Sequence, residues 1–284
     1  MANKGALIVG TGSGGSEIAL NLASTGIGHI TLIDDDRIQP ENYFRFIAGM
    51  SELGRFKIDA VRDSIIEREL ATSVSTFPLD IIKEADRLRG IVADFDGVLI
   101  CATDSIASRR VMNCTAVLYQ KPLVIAGTLD GGRIGEIMLV LPFQGPCYEC
   151  VRLHFGTALE PGESDGRSPI PYLGNEDSRG GEAAGAALRS DIVVVAGLAT
   201  RVALSVLDPE DFPTLSANYI AWGREECSGN PEPFNFALPF STHYAAIPRT
   251  KDCPVCGAIP TELIGVNIEA KAADILSAVR AETP

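Results

Sequence analysis

The run Val9-Gly10-Thr11-Gly12-Ser13-Gly14-Gly15 narrows the possible folds more than any other feature of this chain. It follows a continuous apolar stretch, residues 5–9, and opens a segment with helical periodicity. Gly-x-Gly-x-x-Gly between a strand and a helix has a mechanical meaning. Gly10 permits the tight turn, Gly12 lets a phosphate approach the backbone, and Gly15 lets the helix pack close to the sheet. The helix N-terminus then offers free N–H groups and a positive dipole end to an anion. Asp34 closes the next apolar run about twenty residues on, where an acid typically holds ribose hydroxyls. The pattern predicts a nucleotide ligand. It does not choose between a dinucleotide and ATP, and the glycines alone favour NAD or FAD.

Beyond the turn, short apolar runs alternate with helical patterns. Strands are predicted over 5–9, 29–33, 73–77, 97–102 and 122–126, and helices over 13–26, 52–70, 83–95 and 105–119. Such alternation gives a parallel sheet with helices on both faces. After the turn residues Asp130-Gly131-Gly132, the run 133–141 reads as a long antiparallel strand. Residues 143–181, rich in Gly, Pro and Ser, read as a long loop, and 185–207 as a buried apolar helix. A pair of late strands is predicted over 218–222 and 234–240, and a helical tail over about 269–280. The expected fold is α/β: a Rossmann-like, doubly wound, mostly parallel sheet extended by antiparallel strands.

The charge balance limits the partners. There are 37 acidic against 24 basic residues, a formal net charge of −13. An acidic surface repels phosphate backbones, so nucleic acid is not expected as a main partner. With 46% hydrophobic residues in 284, the chain can bury the core of one large domain or one and a half. No run of about 18 apolar residues predicts a membrane span, and Met1-Ala2-Asn3-Lys4 leads straight into a strand without a signal-peptide pattern. The expected location is the cytoplasm, with no membrane partner.

Four of the seven cysteines fall in two pairs, Cys147-x-x-Cys150 and Cys253-x-x-Cys256. In a reducing compartment that pattern reads as metal before disulfide. Four thiolates are the ligand set of a closed structural zinc site. The gap between the pairs suits a clip joining two distant segments of one domain, where closing a long loop gains most. Cys101 and Cys114 read as packing residues. Cys227, at an expected hairpin tip beside Glu225 and Glu226, reads as a poor nucleophile.

A further set of residues turns the choice of nucleotide toward ATP. Asn42 and Arg45 follow the second strand, Lys57 follows at Gly54-x-x-Lys57, and Thr103-Asp104 ends a later strand. A doubly wound sheet binds its ligand at the carboxyl ends of its strands. Arg45 and Lys57 there can supply positive charge to a triphosphate. Asp104 can hold Mg²⁺, which usually takes one or two carboxylates plus phosphate oxygens. A hydride-transfer enzyme needs no such set.

Taken in order, these pieces resemble one family, the ubiquitin-activating-type adenylating enzymes named for ThiF and MoeB. The resemblance runs from about residue 5 to residue 257. It rests on Gly10-x-Gly12-x-x-Gly15, Leu32-Ile33-Asp34-Asp35-Asp36, Asn42-x-x-Arg45, Gly54-x-x-Lys57 and Thr103-Asp104. Gly145-Pro146-Cys147-Tyr148-Glu149-Cys150 and Cys253-Pro254-Val255-Cys256-Gly257 complete it. The resemblance implies an adenylation domain over 1–260, with a crossover loop at about 151–181, and a C-terminal tail over 261–284. It implies that Asp34 binds the ATP ribose, that Asn42, Arg45 and Lys57 contact phosphates, and that Asp104 binds the catalytic magnesium. The zinc would be structural. The implied substrate is the C-terminal carboxylate of a small ubiquitin-like or sulfur-carrier protein ending in Gly-Gly, and a homodimer is implied as well. A sulfur donor or conjugating protein would act downstream.

The sequence also departs from the family. Relatives often carry a nucleophilic cysteine in the crossover loop, but no cysteine lies between Cys150 and Cys227. Ser13 and Gly14 stand in the glycine motif where Gly-Leu is usual, and Phe46 stands after Arg45 where Gln is usual. The arginine that relatives carry in a helix before the first strand is also missing from this pattern. The expected reaction therefore stops at the acyl-adenylate or hands it on. Two alternatives stand beside it: a non-catalytic partner subunit of a heterodimeric activating enzyme, and a NAD-dependent oxidoreductase.

Overall fold

The computed structural model describes residues 1–68, 71–156, 187–213 and 215–257. The central strands form because their sequences are apolar without alternation, as burial on both faces requires. In β1 (Gly5–Val9) and β4 (Val98–Cys101) every residue is buried. They are flanked by β2 (His29–Ile33), β3 (Ser73–Phe77) and β5 (Leu123–Leu129). The antiparallel half comprises β6 (Ile134–Val140), β7 (Tyr219–Gly223) and β8 (Thr242–Ala245). Together they make one 8-stranded sheet in the order β3-β2-β1-β4-β5-β6-β7-β8. Pairing is parallel from β3 to β5 and antiparallel from β5 to β8.

Alternate side chains of β1 enter different cores. Ala6 and Ile8 pack with α1 (Ser13–Ala23), α2 (Lys57–Glu67) and α6 (Arg189–Leu207). Leu7 and Val9 belong to the core shared with α3 (Ala85–Ala93), α4 (Ile106–Leu118) and α5 (Tyr148–Phe155). The result is helix, sheet, helix. Among the described residues α6 alone is long and apolar enough to cross a membrane, but it lies against α1, β5 and β6 as a core helix.

The outcome differs from the sequence expectation in four places. The helix predicted over 52–70 begins only at Lys57, because Gly54 takes φ +83° and Arg37 and Phe56 form an antiparallel bridge just before it. Its last two residues lie outside the described ones. The long loop predicted from 143 contains α5, whose Tyr148, Cys150 and Val151 are buried. The rest of the crossover loop, from 157, lies outside the described residues, as does the tail over 261–284. The late strand predicted over 234–240 is not one. Phe234 and Phe236 are buried as single anchors, and β7 pairs with Thr242–Ala245 instead. Cys227 is not at a hairpin tip: its N–H and C=O both bond to Phe236 at 2.9 Å, so it sits at the base of that turn.

Candidate functional site: a cavity at the strand ends and a cysteine cluster

In the order β3-β2-β1-β4 all strands run parallel but the winding of the strand order reverses between β1 and β4, and a ligand crevice is expected outside the carboxyl ends of strands at such a point. A cavity of about 390 Å³ lies there. Its wall includes Gly10, Gly12, Asp34, Asn42, Arg45, Lys57 and Asp104. The glycines divide their roles. Gly10 has φ +85°, and a Cβ on it would come within 2.9 Å of the Ala102 backbone. A Cβ on Gly15 would fall 1.9 Å from the Gly10 carbonyl oxygen, so Gly15 is a packing residue behind the turn. A Cβ on Gly12 would meet no atom within 4 Å, which leaves the backbone open to the cavity.

Asp34 ties this turn to the acidic strand end. Its carboxylate accepts from the Thr11 N–H at 2.6 Å, from the Thr11 hydroxyl at 3.1 Å and from the Asp36 N–H at 2.9 Å. Asp36 in turn accepts from Lys57 Nζ at 2.6 Å, and its carbonyl takes the Lys57 N–H at 3.0 Å. Lys57 is thereby aimed from the first turn of α2. Asp34, Asp35 and Asp36 place carboxylate oxygens within 4.8 Å of one another. Burial raises the Asp35 carboxyl above its usual range, and the neighbouring acids add to that. Asn42 accepts from the Gln39 N–H at 3.0 Å and caps the short turn that carries Arg45. Among the described residues Arg45 makes no side-chain ion pair. Asp104 is exposed at the end of β4. Phe46, the residue that departs from the family pattern after Arg45, is a core residue, 3% exposed and packed in the cluster with Ile38.

Sequence reasoning missed the polar network beside this cavity. Arg109, buried on α4, also lines the wall. It pairs with the buried Glu136 of β6, and the Tyr219 hydroxyl of β7 donates to Glu136 at 2.7 Å. Burial works against the Arg109 charge, but Glu136, Tyr148 and Cys101 together outweigh it and raise the guanidinium above its usual range. Burial, and then Glu136, push the Tyr219 phenol well above its own. A base, an acid and a neutral phenol in separate elements carry no spacing that a sequence could display.

Farther along the same face, Cys147, Cys150, Cys253 and Cys256 are all buried, with their sulfurs within 4.8 Å of one another. The Cys147–Cys253 and Cys150–Cys256 separations are 3.5 and 3.4 Å, and Cys147–Cys150 is 3.9 Å. A tetrahedral zinc with Zn–S of about 2.3 Å has S···S edges of about 3.8 Å, so the four thiols fit that ion. All are free thiols rather than disulfides. A Cβ on Gly257 would lie 2.1 Å from the Lys251 carbonyl oxygen, so the turn around the second pair requires glycine. The other thiols are not arranged this way. Burial, followed by Glu149, pushes Cys114 up to about 12, and burial raises Cys101 as well.

A glycine-turn cavity at the switch point of a doubly wound sheet is the place where α/β proteins of this architecture bind ligands. A family model described as the ThiF family matches residues 1–224, and the chain belongs to that family. The adenylyltransferase and sulfurtransferase MOCS3 of Culex quinquefasciatus is 33% identical over 146 residues, 51% of this chain and 32% of that protein. The adenylyltransferase and sulfurtransferase uba4 of Aspergillus fumigatus is 36% identical over 155 residues, 51% and 30% of the two chains. The match thus spans about a third of these relatives' length. Among solved structures, E. coli MccB superposes with a TM-score of 0.68 at 21% identity, over 91% of this chain and 66% of that one. PaaA superposes at 0.63 and 21%, over 86% and 73%. At such identities the likeness speaks for the fold.

Proposed function

We propose that this chain adenylates the C-terminal carboxylate of a small ubiquitin-like or sulfur-carrier protein, using ATP. The observation that carries the reading is the convergence of the glycine turn, Asp34, Arg45, Lys57 and Asp104 on one cavity wall. The relatives named as adenylyltransferases support it, and MccB has been solved with ATP and with N-formylated MccA.

The turn and the N-terminus of α1 receive phosphate, and Asp34 keeps lone pairs for ribose hydroxyls beyond those taken by Thr11 and Asp36. Asn42, Arg45 and Lys57 face the triphosphate. A carboxylate is a poor electrophile until it carries a good leaving group. Its oxygen forms a bond to the α-phosphorus while the bond from that phosphorus to the pyrophosphate oxygen breaks. Preplaced cations stabilise the charge that builds on the departing pyrophosphate. Asp104 suits magnesium, because its carboxylate is exposed at the cavity wall and takes no hydrogen bond among the described residues. Bound there, the ion would supply Lewis-acid stabilisation of phosphate oxygens. The cysteine cluster would hold zinc as a structural clip. With no thiol between Cys150 and Cys227, the acyl-adenylate would pass to a separate sulfur donor, conjugating protein or amine. A homodimer accompanies this reading.

Pyrophosphate exchange into ATP, driven by candidate carriers ending in Gly-Gly, tests it. Carrier-dependent exchange is expected. Binding of NAD with no binding of ATP would overturn the assignment.

A further inference from the structure

The position of Asp104 depends on backbone, since its own side chain has no protein partner among the described residues. On one side, the Ala102 N–H donates to the Val9 carbonyl at 2.9 Å and anchors the strand end to β1. On the other, Ser105 caps α4 by accepting from the Ser108 N–H at 3.3 Å. Between them, the carbonyl of Thr103 accepts from Arg109 Nε at 3.1 Å. The guanidinium is therefore a side-chain clamp on the peptide that precedes Asp104.

That clamp is itself held. Arg109 Nη1 pairs with Glu136, whose other oxygen takes the Tyr219 hydroxyl at 2.7 Å. Gly127 stands opposite Glu136 in the β5–β6 ladder, and a Cβ there would lie 2.4 Å from Arg109 Nη2. The missing side chain of Gly127 leaves room for the guanidinium. A second cavity of about 40 Å³ is lined by Asp104, Arg109, Glu136 and Tyr219 together, so the network adjoins that residue. Stability does not account for the arrangement. Both charged side chains are 8% exposed, and a buried ion pair is often no more stabilising than apolar residues of the same volume.

We propose that Glu136 and Tyr219 are positioning residues that act through Arg109 to fix Asp104 for magnesium-nucleotide binding. The proposal rests on the reading of Asp104 given above. Outer partners of metal-binding groups typically change metal affinity by about 10- to 100-fold when removed.

The test is ATP affinity measured by calorimetry with Mg²⁺ and again with EDTA, on the intact chain. Wild type should bind more tightly with Mg²⁺, and Asp104→Asn should lose that gain. Glu136→Gln, which preserves shape, should cut the gain about tenfold. Tyr219→Phe should cut it less. Affinity in EDTA should stay at the wild-type value in Glu136→Gln and Tyr219→Phe. Thermal unfolding verifies the fold, and if Glu136→Gln does not fold, Tyr219→Phe decides. Folded Glu136→Gln and Tyr219→Phe proteins with the full gain, beside an Asp104→Asn that loses it, would overturn the proposal and leave the Asp104 reading standing. An Asp104→Asn protein that keeps the gain would overturn both.

Discussion

The strand-end cavity and the cysteine cluster gather reactive groups in opposite ways. The cavity draws single residues from the β1–α1 turn, from the ends of β2 and β4 and from the start of α2, and it leaves Asp36 and Asp104 exposed. Asp36 is 65% exposed even while paired with Lys57. The cluster draws two pairs of thiols 106 residues apart and closes them inside the core. Even its backbone turns inward, with the Thr250 N–H donating to Cys150 Sγ at 3.4 Å. The difference separates two uses of polar atoms. A site that takes a ligand up and releases it must leave donors and acceptors without protein partners. A site that holds structure together satisfies them permanently and shuts out water.

Four measurements would break or sharpen that contrast. The largest effect is expected at the cluster. Cys150→Ser should lose bound metal and several kcal/mol of stability, since structural zinc contributes on the order of 10 kcal/mol to folding. Metal analysis and thermal unfolding check this, and a chelator should destabilise wild type but not the variant. A stable Cys150→Ser protein that had lost only catalysis would invert the contrast. Next is Asp104→Ala. Its exposed side chain predicts unchanged stability, while pyrophosphate exchange should fall by about a hundredfold or more. Exchange that survives intact would sink the assignment of Asp104.

Two glycines of one motif should separate next. Gly15→Ala forces a Cβ onto the Gly10 carbonyl and should cost about 1–3 kcal/mol of stability. Gly12→Ala meets no protein atom and should cost under about 1 kcal/mol as a poorer helix cap, yet weaken ATP binding. Denaturant midpoints and ATP titrations, read side by side, show whether the two roles are distinct.

The smallest effect lies on the exposed face of α2. Arg55, hydrogen-bonded to Asp63, holds that carboxyl below its usual range against the opposing pull of burial. A depressed folded value means that the contribution is present above the unfolded value of about 3.9 and is lost as pH falls through the folded one. With both side chains more than a third exposed, it should stay under about 1 kcal/mol. Urea unfolding of Asp63→Asn, followed from neutral into acid, should show a slightly flatter acid limb than wild type.

Much of this was legible in the chain. Apart from the polar β3 (Ser73–Phe77), the first six strands show as apolar runs, and the cysteine pairs and the glycine turn announce themselves by spacing. What local pattern could not show is pairing at a distance. Arg109 meets Glu136 across 27 residues, and Glu136 meets Tyr219 across 83. Each of them alone reads as an ordinary strand or helix residue. The composition of 143–181 hid α5, because Gly145 and Pro146 stand just before a short helix that carries the first cysteine pair at its start. Phe234 and Phe236 mimic a strand by alternation, although both point into the core as anchors. Alternation marks burial of every second residue, and a sheet is only one way to bury them.

The link from Thr11 through Asp34 and Asp36 to Lys57 has a consequence for how energies in the cavity combine. Each member fixes the next, so a change at either end reaches the other through a shared carboxylate. Contributions assigned to these residues singly will not sum, because groups in one hydrogen-bonded chain are coupled. The nucleotide meets a single frame there, and its affinity belongs to that frame as a unit.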